Sequence, residues 1–247
     1  LFLGFNSKFP SKPVINSIPK VYIKAISIGS TSVPLTLIKN LHAHKIPIIQ
    51  IYGATETGPI AIYQKIKDAF DTEGSIGKVG IHCKVKLVDD NLKEVETGSP
   101  GQILVKGDNI LNCYWEDAKS TKESIVNGWF LTGDIAKVDN QGNYWFIDRI
   151  KNVIISGGEN IYPAELEIIL KGNKFIKEFS IVGRKDLVWG EVPVIIAVKT
   201  TKKIKKEKIL QTFEGQVAKY KVPKDIIFVD NLPKNALGKI MVDEVKK

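Results

Sequence analysis

Apolar positions change their spacing twice along the chain, and each change predicts a different kind of structure. Residues 21–28 are apolar and β-branched, which predicts a strand. Pro34 then opens a helical pattern with Leu35, Ile38, Leu41 and His42 on one face, proline being favoured in a first helical turn. Residues 46–52 read as a second buried strand. Strand, helix and strand in that order predict a parallel α/β unit, the closing edge of a larger sheet.

From residue 62 to 148 the pattern shortens to strands and turns. Residues 84–88 alternate, Asp89-Asp90-Asn91 turns, and Thr97-Gly98-Ser99-Pro100-Gly101 turns again before a strand at 102–106. Strands at 135–138 and 144–148 flank Asp139-Asn140-Gln141-Gly142-Asn143, a hairpin signal. This stretch predicts a small β-barrel or a distorted sheet. After Lys151 the pattern is mixed: a strand at 153–156, a break at Gly157-Gly158, and a helix opened by Pro163 and closed by Gly172. Tyr162, Leu166, Ile169 and Leu170 mark its buried face. Strands at 179–182, 192–199 and 226–229 follow, with a helix through Ile209, Leu210, Phe213, Val217 and Tyr220. The expected fold class is α/β and α+β. The end of a large domain (α/β over 1–60, β-rich over 61–150) precedes a compact α+β domain over 152–247.

Composition narrows the setting. No apolar run approaches the roughly 18 residues of a membrane-spanning helix, and the front lacks a secretory signal pattern. Cys83 and Cys113 fit neither a metal-ligand spacing nor a disulfide framework, so a reducing cytoplasm is the expected compartment. The one methionine is Met241 and the chain begins at Leu1, so a piece of a longer chain is expected. Net charge is +9, with the excess mostly after Lys151. Six lysines fall within 199–208, which suits a phosphate patch or a solvated helix start. Without interleaved aromatics or a nucleic-acid module, no nucleic-acid partner is expected. Only Arg149 and Arg184 are arginines, so each invites a role for planar, bidentate geometry.

Candidate chemistry sits in five segments. Tyr52-Gly53-Ala54-Thr55-Glu56-Thr57-Gly58 follows a strand at its carboxyl end, where open α/β sheets bind ligands. Gly53 admits close backbone approach, Thr55 offers a hydroxyl to phosphate, Glu56 a carboxylate to Mg²⁺, and Tyr52 a ring face to a base. The same residues also suit a plain turn with a polar cap. Gly128-Trp129-Phe130-Leu131-Thr132-Gly133-Asp134 puts an acid after a glycine turn at a strand start, able to accept from both ribose hydroxyls or merely from turn amides. Asp148-Arg149-Ile150-Lys151 lies at the domain boundary, where Arg149 can grip a phosphate and Lys151 can serve as a pivot. In Ser156-Gly157-Gly158-Glu159-Asn160 two glycines between a strand and a helix let a narrow ligand pass closely, or form a helix-entry turn. Pro233-Lys234-Asn235-Ala236-Leu237-Gly238-Lys239 is a turn-rich loop but no phosphate-binding P-loop, since Pro233 and Ile240 occupy the wrong positions. Three histidines without an acid–nucleophile arrangement give no hydrolase triad, and no His/Cys cluster suggests zinc.

The order of these segments, with Gly101–Gly107 between the first and the second, resembles the second half of the adenylate-forming enzymes, the family of acyl-CoA synthetases, aryl-CoA ligases, adenylation domains and firefly luciferase. The resemblance runs from residue 21 to the end of the chain. It implies a carboxylate–CoA ligase that uses ATP, Mg²⁺ and coenzyme A and acts on a fatty or other organic acid, a small-molecule carboxylic acid, through an acyl-adenylate. It implies that Tyr52 stacks on adenine beside Gly53, Thr55 touches phosphate, Glu56 binds Mg²⁺, Asp134 holds the ribose and Arg149 lies beside ribose and phosphate. Lys151 matches the hinge of a mobile domain, Gly157 and Gly158 the pantetheine tunnel, and Lys239 the lysine that reaches the reacting groups. Trp189-Gly190-Glu191 matches a further family element. Gln102 stands where the family has Glu, and the Ser/Thr/Gly-rich phosphate loop is absent upstream of Tyr52; Gly29-Ser30-Thr31-Ser32 better matches the edge of the acyl pocket. Two alternatives remain open: delivery to a carrier-protein phosphopantetheine, or a non-catalytic binding module built from a ligase half.

Overall fold

The expected parallel pair forms at the start of the described chain. The computed structural model describes residues 23–29, 33–200, 205–236 and 238–246. Residues 21, 22, 30–32 and 201–204, which carried parts of the first strand, the Ser30–Ser32 run and the lysine-rich stretch, lie outside them, as does Leu237. Strand β1 (Ile26–Ile28), helix α1 (Leu35–Ala43) and β2 (Ile48–Tyr52) follow in order, with Ile26 opposite Ile48 in parallel register. Pro34 precedes α1, which buries Ile38 and His42 but leaves Leu35 exposed. His42 is structural: Nε2 accepts from Ile48 N at 3.1 Å, and Nδ1 faces Glu73 at 2.8 Å.

Contacts divide the chain between Ile150 and Lys151. In the unit before the division, β3 (Ile62–Tyr63) and β4 (Lys78–Val79) extend the first sheet in antiparallel fashion, giving the order β1-β2-β3-β4. A second sheet contains β5 (Lys84–Val88), β6 (Gly101–Lys106), β7 (Ile125–Val126), β8 (Trp129–Val138) and β9 (Tyr144–Arg149). It runs β5-β6-β8, and β7 and β9 both pair with β8 along different stretches. Bulges between Gln102 and Leu104 and between Ile135 and Ala136 bend it, as bulges do, into a half-barrel. Ile62, Ile76, Leu87, Ile103, Val105 and Tyr144 form the core of this unit. Two expectations need correction. Asp134 lies inside β8 rather than at its start. The β-rich stretch also holds a helix, α2 (Ala118–Ser124), which buries no residue and therefore leaves no apolar period. Its cap is Asp117, whose side chain accepts from Ser120 N at 2.9 Å.

The unit from Lys151 onward has its own sheet, β11-β10-β13-β12, with β14 parallel on β13. The strands are β10 (Ile154–Ser156), β11 (Glu159–Ile161), β12 (Ile176–Asp186), β13 (Gly190–Lys199) and β14 (Asp225–Phe228). Helix α3 (Pro163–Leu170) packs Leu166 and Leu170 on this sheet, and α4 (Lys206–Leu210) buries Ile209. A short helix, α5 (Val242–Val245), ends the described chain. The break expected at Gly157-Gly158 is instead the turn of a β10–β11 hairpin. The single helix expected through Tyr220 stops early. Past α4 only the 3₁₀ turns Gln211–Phe213 and Lys219–Lys221 form, separated by Gly215 at φ +74°. Phe213 is wholly buried in this core, so Phe213→Ala is expected to lower stability by about 3–5 kcal/mol in urea unfolding. A loss below about 1 kcal/mol would place that ring outside the core.

Candidate active site

Strand β2 delivers Tyr52 at its carboxyl end, and the chain turns at once. Gly53 is required there: a Cβ would lie 1.8 Å from Pro59 O and 2.9 Å from Thr57 Oγ1. The turn Thr55–Thr57 is closed by the wholly buried Thr57, whose Oγ1 accepts from Ala54 N at 2.8 Å and donates to Ala54 O at 3.0 Å. Two threonines are thus sorted by geometry. The Thr57 hydroxyl closes the turn, while Thr55 is exposed and Glu56 half-buried.

Across the unit, Tyr52 Oη donates to Asp134 Oδ2 at 2.8 Å. Asp134 on β8 is the register partner of Arg149 on β9, and Arg149 Nε lies 3.2 Å from Asp134 Oδ1. The strand pairing therefore unites Tyr52, Asp134 and Arg149. Asp134 N donates to Thr132 Oγ1 at 3.1 Å, and Thr132 Oγ1 donates to Ile103 O at 2.8 Å, which pins the strand beneath the carboxylate. A carboxylate has about four lone-pair sites, so its acceptor capacity exceeds the Tyr52 and Arg149 contacts. Arg149 is exposed, and its guanidinium keeps further N–H groups for an anion.

Burial, followed by the charge of Asp134, pushes the Tyr52 phenol far above its ordinary value. An acid whose folded pKa is raised contributes stability that is complete below its unfolded pKa and is lost as pH rises. The Tyr52 contribution is therefore expected to be full below about pH 10 and to decline above it. Alkaline unfolding curves for the chain and for Tyr52→Phe should converge as pH rises; parallel curves would show that the phenol is not held in this way.

In the second unit, Gly157 and Gly158 form the β10–β11 turn at φ +60° and +86°, both positive as a type I′ hairpin turn requires. Gly157 N donates to Trp189 O at 2.8 Å, and a Cβ at Gly157 would lie 2.8 Å from Trp189 Cε3. Ile155 N donates to Glu191 Oε2 at 3.2 Å. Trp189 and Glu191 thus hold the hairpin, and nothing lies within 4 Å of a Cβ built at Gly158. A cavity of about 730 Å³ lies beside β10, lined by Val153, Ile155, Leu187 and Glu191 among others. Lys151 Nζ pairs with Asp243 Oδ2 at 2.8 Å, and Lys246 Nζ donates to Lys151 O at 2.7 Å, so α5 and its end hold Lys151 from both sides. In the loop 233–239, Lys234 bridges to Ile240 and its Nζ meets Glu178 Oε1 at 2.8 Å. Asn235 Oδ1 accepts from Lys239 N at 2.9 Å. Lys234 anchors the loop and Lys239 stands exposed at its end.

Comparison with known sequences decides the family. The AMP-binding enzyme profile matches residues 11–115, and that of the AMP-binding enzyme C-terminal domain matches residues 165–239. The chain belongs to the AMP-binding enzymes. It is 44% identical over 226 residues to the indoleacetate–CoA ligase of Aromatoleum aromaticum, covering 91% of this chain and 44% of that protein. Among solved structures, it superposes on o-succinylbenzoate CoA synthetase of Bacillus subtilis bound to its acyl-adenylate intermediate. That match has a TM-score of 0.84 and 33% identity, covering 93% of this chain and 47% of that one. The same synthetase with ATP and magnesium gives a TM-score of 0.81 at 33% identity, covering 90% of this chain and 46% of that one. The chain spans less than half the length of these relatives.

The family's magnesium finds a compatible donor here. Mg²⁺ is commonly held by one or two carboxylates together with substrate phosphates and water, rather than by an all-protein cage. Among the described residues no group of three or more His, Cys, Asp or Glu is clustered to hold a metal. Glu56 supplies a single half-buried carboxylate beside the exposed Thr55, which suits a nucleotide-borne cation. The sequence pattern missed Asn109 and Tyr114, which brace this turn; neither stands at a motif position that would have drawn attention.

Proposed function

We propose that this chain provides the nucleotide site, the pivot and the mobile lysine domain of an ATP-dependent carboxylate–CoA ligase. The observation that carries the reading is the network of Tyr52, Asp134 and Arg149 beside the Glu56 turn. The adenine lies against the Tyr52 ring and the ribose hydroxyls donate to Asp134. Arg149 meets the ribose and phosphate, and the Thr55 hydroxyl meets a phosphate. A carboxylate oxygen of the acid attacks the α-phosphorus of ATP, the bond to pyrophosphate breaks, and an acyl-adenylate forms. Lys239 donates to the acid and the α-phosphate as negative charge gathers there. Glu56 would hold Mg²⁺, which supplies charge neutralisation at the phosphates when bound.

In the second half-reaction the CoA sulfur attacks the acyl carbon, its proton is lost to solvent, and AMP leaves. Rotation about Lys151 withdraws Lys239 and brings Gly157 and Gly158 beside the pantetheine arm, a gating motion of a familiar kind. The Gly158 opening suits a narrow thiol-bearing arm. No described helix is long and apolar enough to cross a membrane, and ATP and CoA as substrates suit a cytoplasmic setting.

The test joins this chain, in place of the matching half, to the amino-terminal half of the Aromatoleum indoleacetate–CoA ligase. Exchange of pyrophosphate into ATP with an acid panel, followed by AMP release with CoA or a carrier protein, reads both half-reactions. Acid-dependent exchange and CoA-dependent AMP release are expected. A chimera that melts cooperatively and binds acid and ATP, yet exchanges no pyrophosphate, would remove the proposal. Release dependent on a carrier protein alone would reassign the acceptor.

A further inference from the structure

The turn bearing Glu56 is braced from a second place in the chain. Asn109 Nδ2 donates to Thr57 O at 2.6 Å, and Leu111 N donates to Glu56 O at 2.9 Å. Those two contacts fix backbone. A third reaches the carboxylate itself: Tyr114 Oη donates to Glu56 Oε1 at 3.1 Å. Tyr114 is held in turn by the start of α2. Its backbone N donates to Thr121 Oγ1 at 2.9 Å, and that hydroxyl donates to Asp117 O at 2.7 Å. Asp117 is the residue that caps α2. A run of hydrogen bonds thus leads from a helix cap to one oxygen of Glu56.

We propose that Tyr114 is a positioning residue for Glu56, fixing the carboxylate so that its other oxygen meets the nucleotide-borne metal ion. The inference rests on the reading of Glu56 as a magnesium ligand. An unrestrained glutamate samples several rotamers, and ordering it on binding costs free energy that a preformed hydrogen bond offsets beforehand. Groups that orient a metal ligand from behind commonly matter to affinity nearly as much as the ligand does. The phenol suits the task. A phenol, with an ordinary pKa of about 10, is a protonated donor near neutral pH.

The experiment uses this chain, Mn²⁺ as the probe for Mg²⁺, and a non-hydrolysable ATP analogue, with free Mn²⁺ read by its paramagnetic resonance signal. Tyr114→Phe keeps the ring and removes only the hydroxyl, and a melting curve for each variant confirms folding. Expected is a roughly tenfold weaker hold on Mn²⁺ in the ternary complex, with metal-free affinity for the analogue unchanged. In a Glu56→Gln background, Tyr114→Phe should then change nothing further. An equal loss in both backgrounds would show a merely structural tyrosine and overturn the inference. So would unchanged Mn²⁺ affinity in Tyr114→Phe when Glu56→Gln loses it, and the reading of Glu56 would survive. Unchanged affinity in Glu56→Gln, or no Mn²⁺-dependent binding by the unaltered chain, would overturn that reading and the positioning role with it.

Discussion

Lys239→Ala, in the active chimera, should reduce acyl-adenylate formation by roughly 10²–10³-fold, the range found for losing one charge-stabilising donor at a reacting centre. Thioester formation from supplied acyl-adenylate should continue at nearly the unaltered rate. The asymmetry follows from where the lysine stands. The backbone of its loop is fixed by the Asn235 contacts, and the neighbouring Lys234 is neutralised by Glu178. Lys239 is exposed at the end of that loop, so its charge is available for presentation to a substrate. In the first half-reaction negative charge concentrates at phosphorus, where a positioned cation stabilises the transition state more than the ground state. In the second, charge leaves with AMP. Equal damage to both half-reactions would sink the assignment, and so would damage to the second alone.

Gly158→Leu should give the opposite pattern, with adenylate forming and transfer to CoA slowed by roughly a hundredfold, the scale on which a reacting group misplaced by an ångström loses rate. The two glycines of the hairpin turn are not equivalent. A side chain at Gly157 would strike the Trp189 ring, so substitution there damages the fold. At Gly158 a side chain enters open space, at the cost of about 1–2 kcal/mol for a left-handed non-glycine residue. The hairpin should therefore survive the leucine while the space for the pantetheine arm is filled. Chemical quench of the separate half-reactions measures both. Normal CoA kinetics in Gly158→Leu would move the passage elsewhere.

The parts of the site that follow one another in the chain were legible in the sequence. The five-residue strand β2 ends at Tyr52, and Gly53 announces the turn that its crowding with Pro59 demands. The lysine loop was legible from its turn residues. The resemblance put Asp134 and Arg149 at one ribose, but their direct contact comes from tertiary pairing. Asp134 and Arg149 become neighbours only through the β8–β9 register, which a bulge between Ile135 and Ala136 shifts. Asp134 looked like a strand start because Gly133 takes φ +70° in mid-strand, where β8 carries extra residues between its Leu131–Leu104 and Ile135–Gln102 pairs. Helix α2 left no trace because it buries nothing, yet it fixes Tyr114 against Glu56. Strand β11 was hidden because Glu159 and Asn160 are poor strand formers, held there by the glycine turn and by Ile161 in the core. The helix drawn through Tyr220 failed for a related reason: helical spacing persisted, but Gly215 ended the chain's helical course.

The central claim is that Asp134, set between Tyr52 and Arg149, receives the ribose of an adenine nucleotide. Calorimetric titration of the unaltered chain and of Asp134→Asn with AMP and with 2′-deoxy-AMP tests it most directly. The account predicts that the unaltered chain binds AMP with a dissociation constant near millimolar, about −4 kcal/mol. It predicts that 2′-deoxy-AMP binds roughly tenfold more weakly, as loss of one hydrogen bond to a charged group implies, and that Asp134→Asn largely erases this preference. Equal binding of the two nucleotides by the unaltered chain, or a ribose preference untouched by Asp134→Asn, would contradict it.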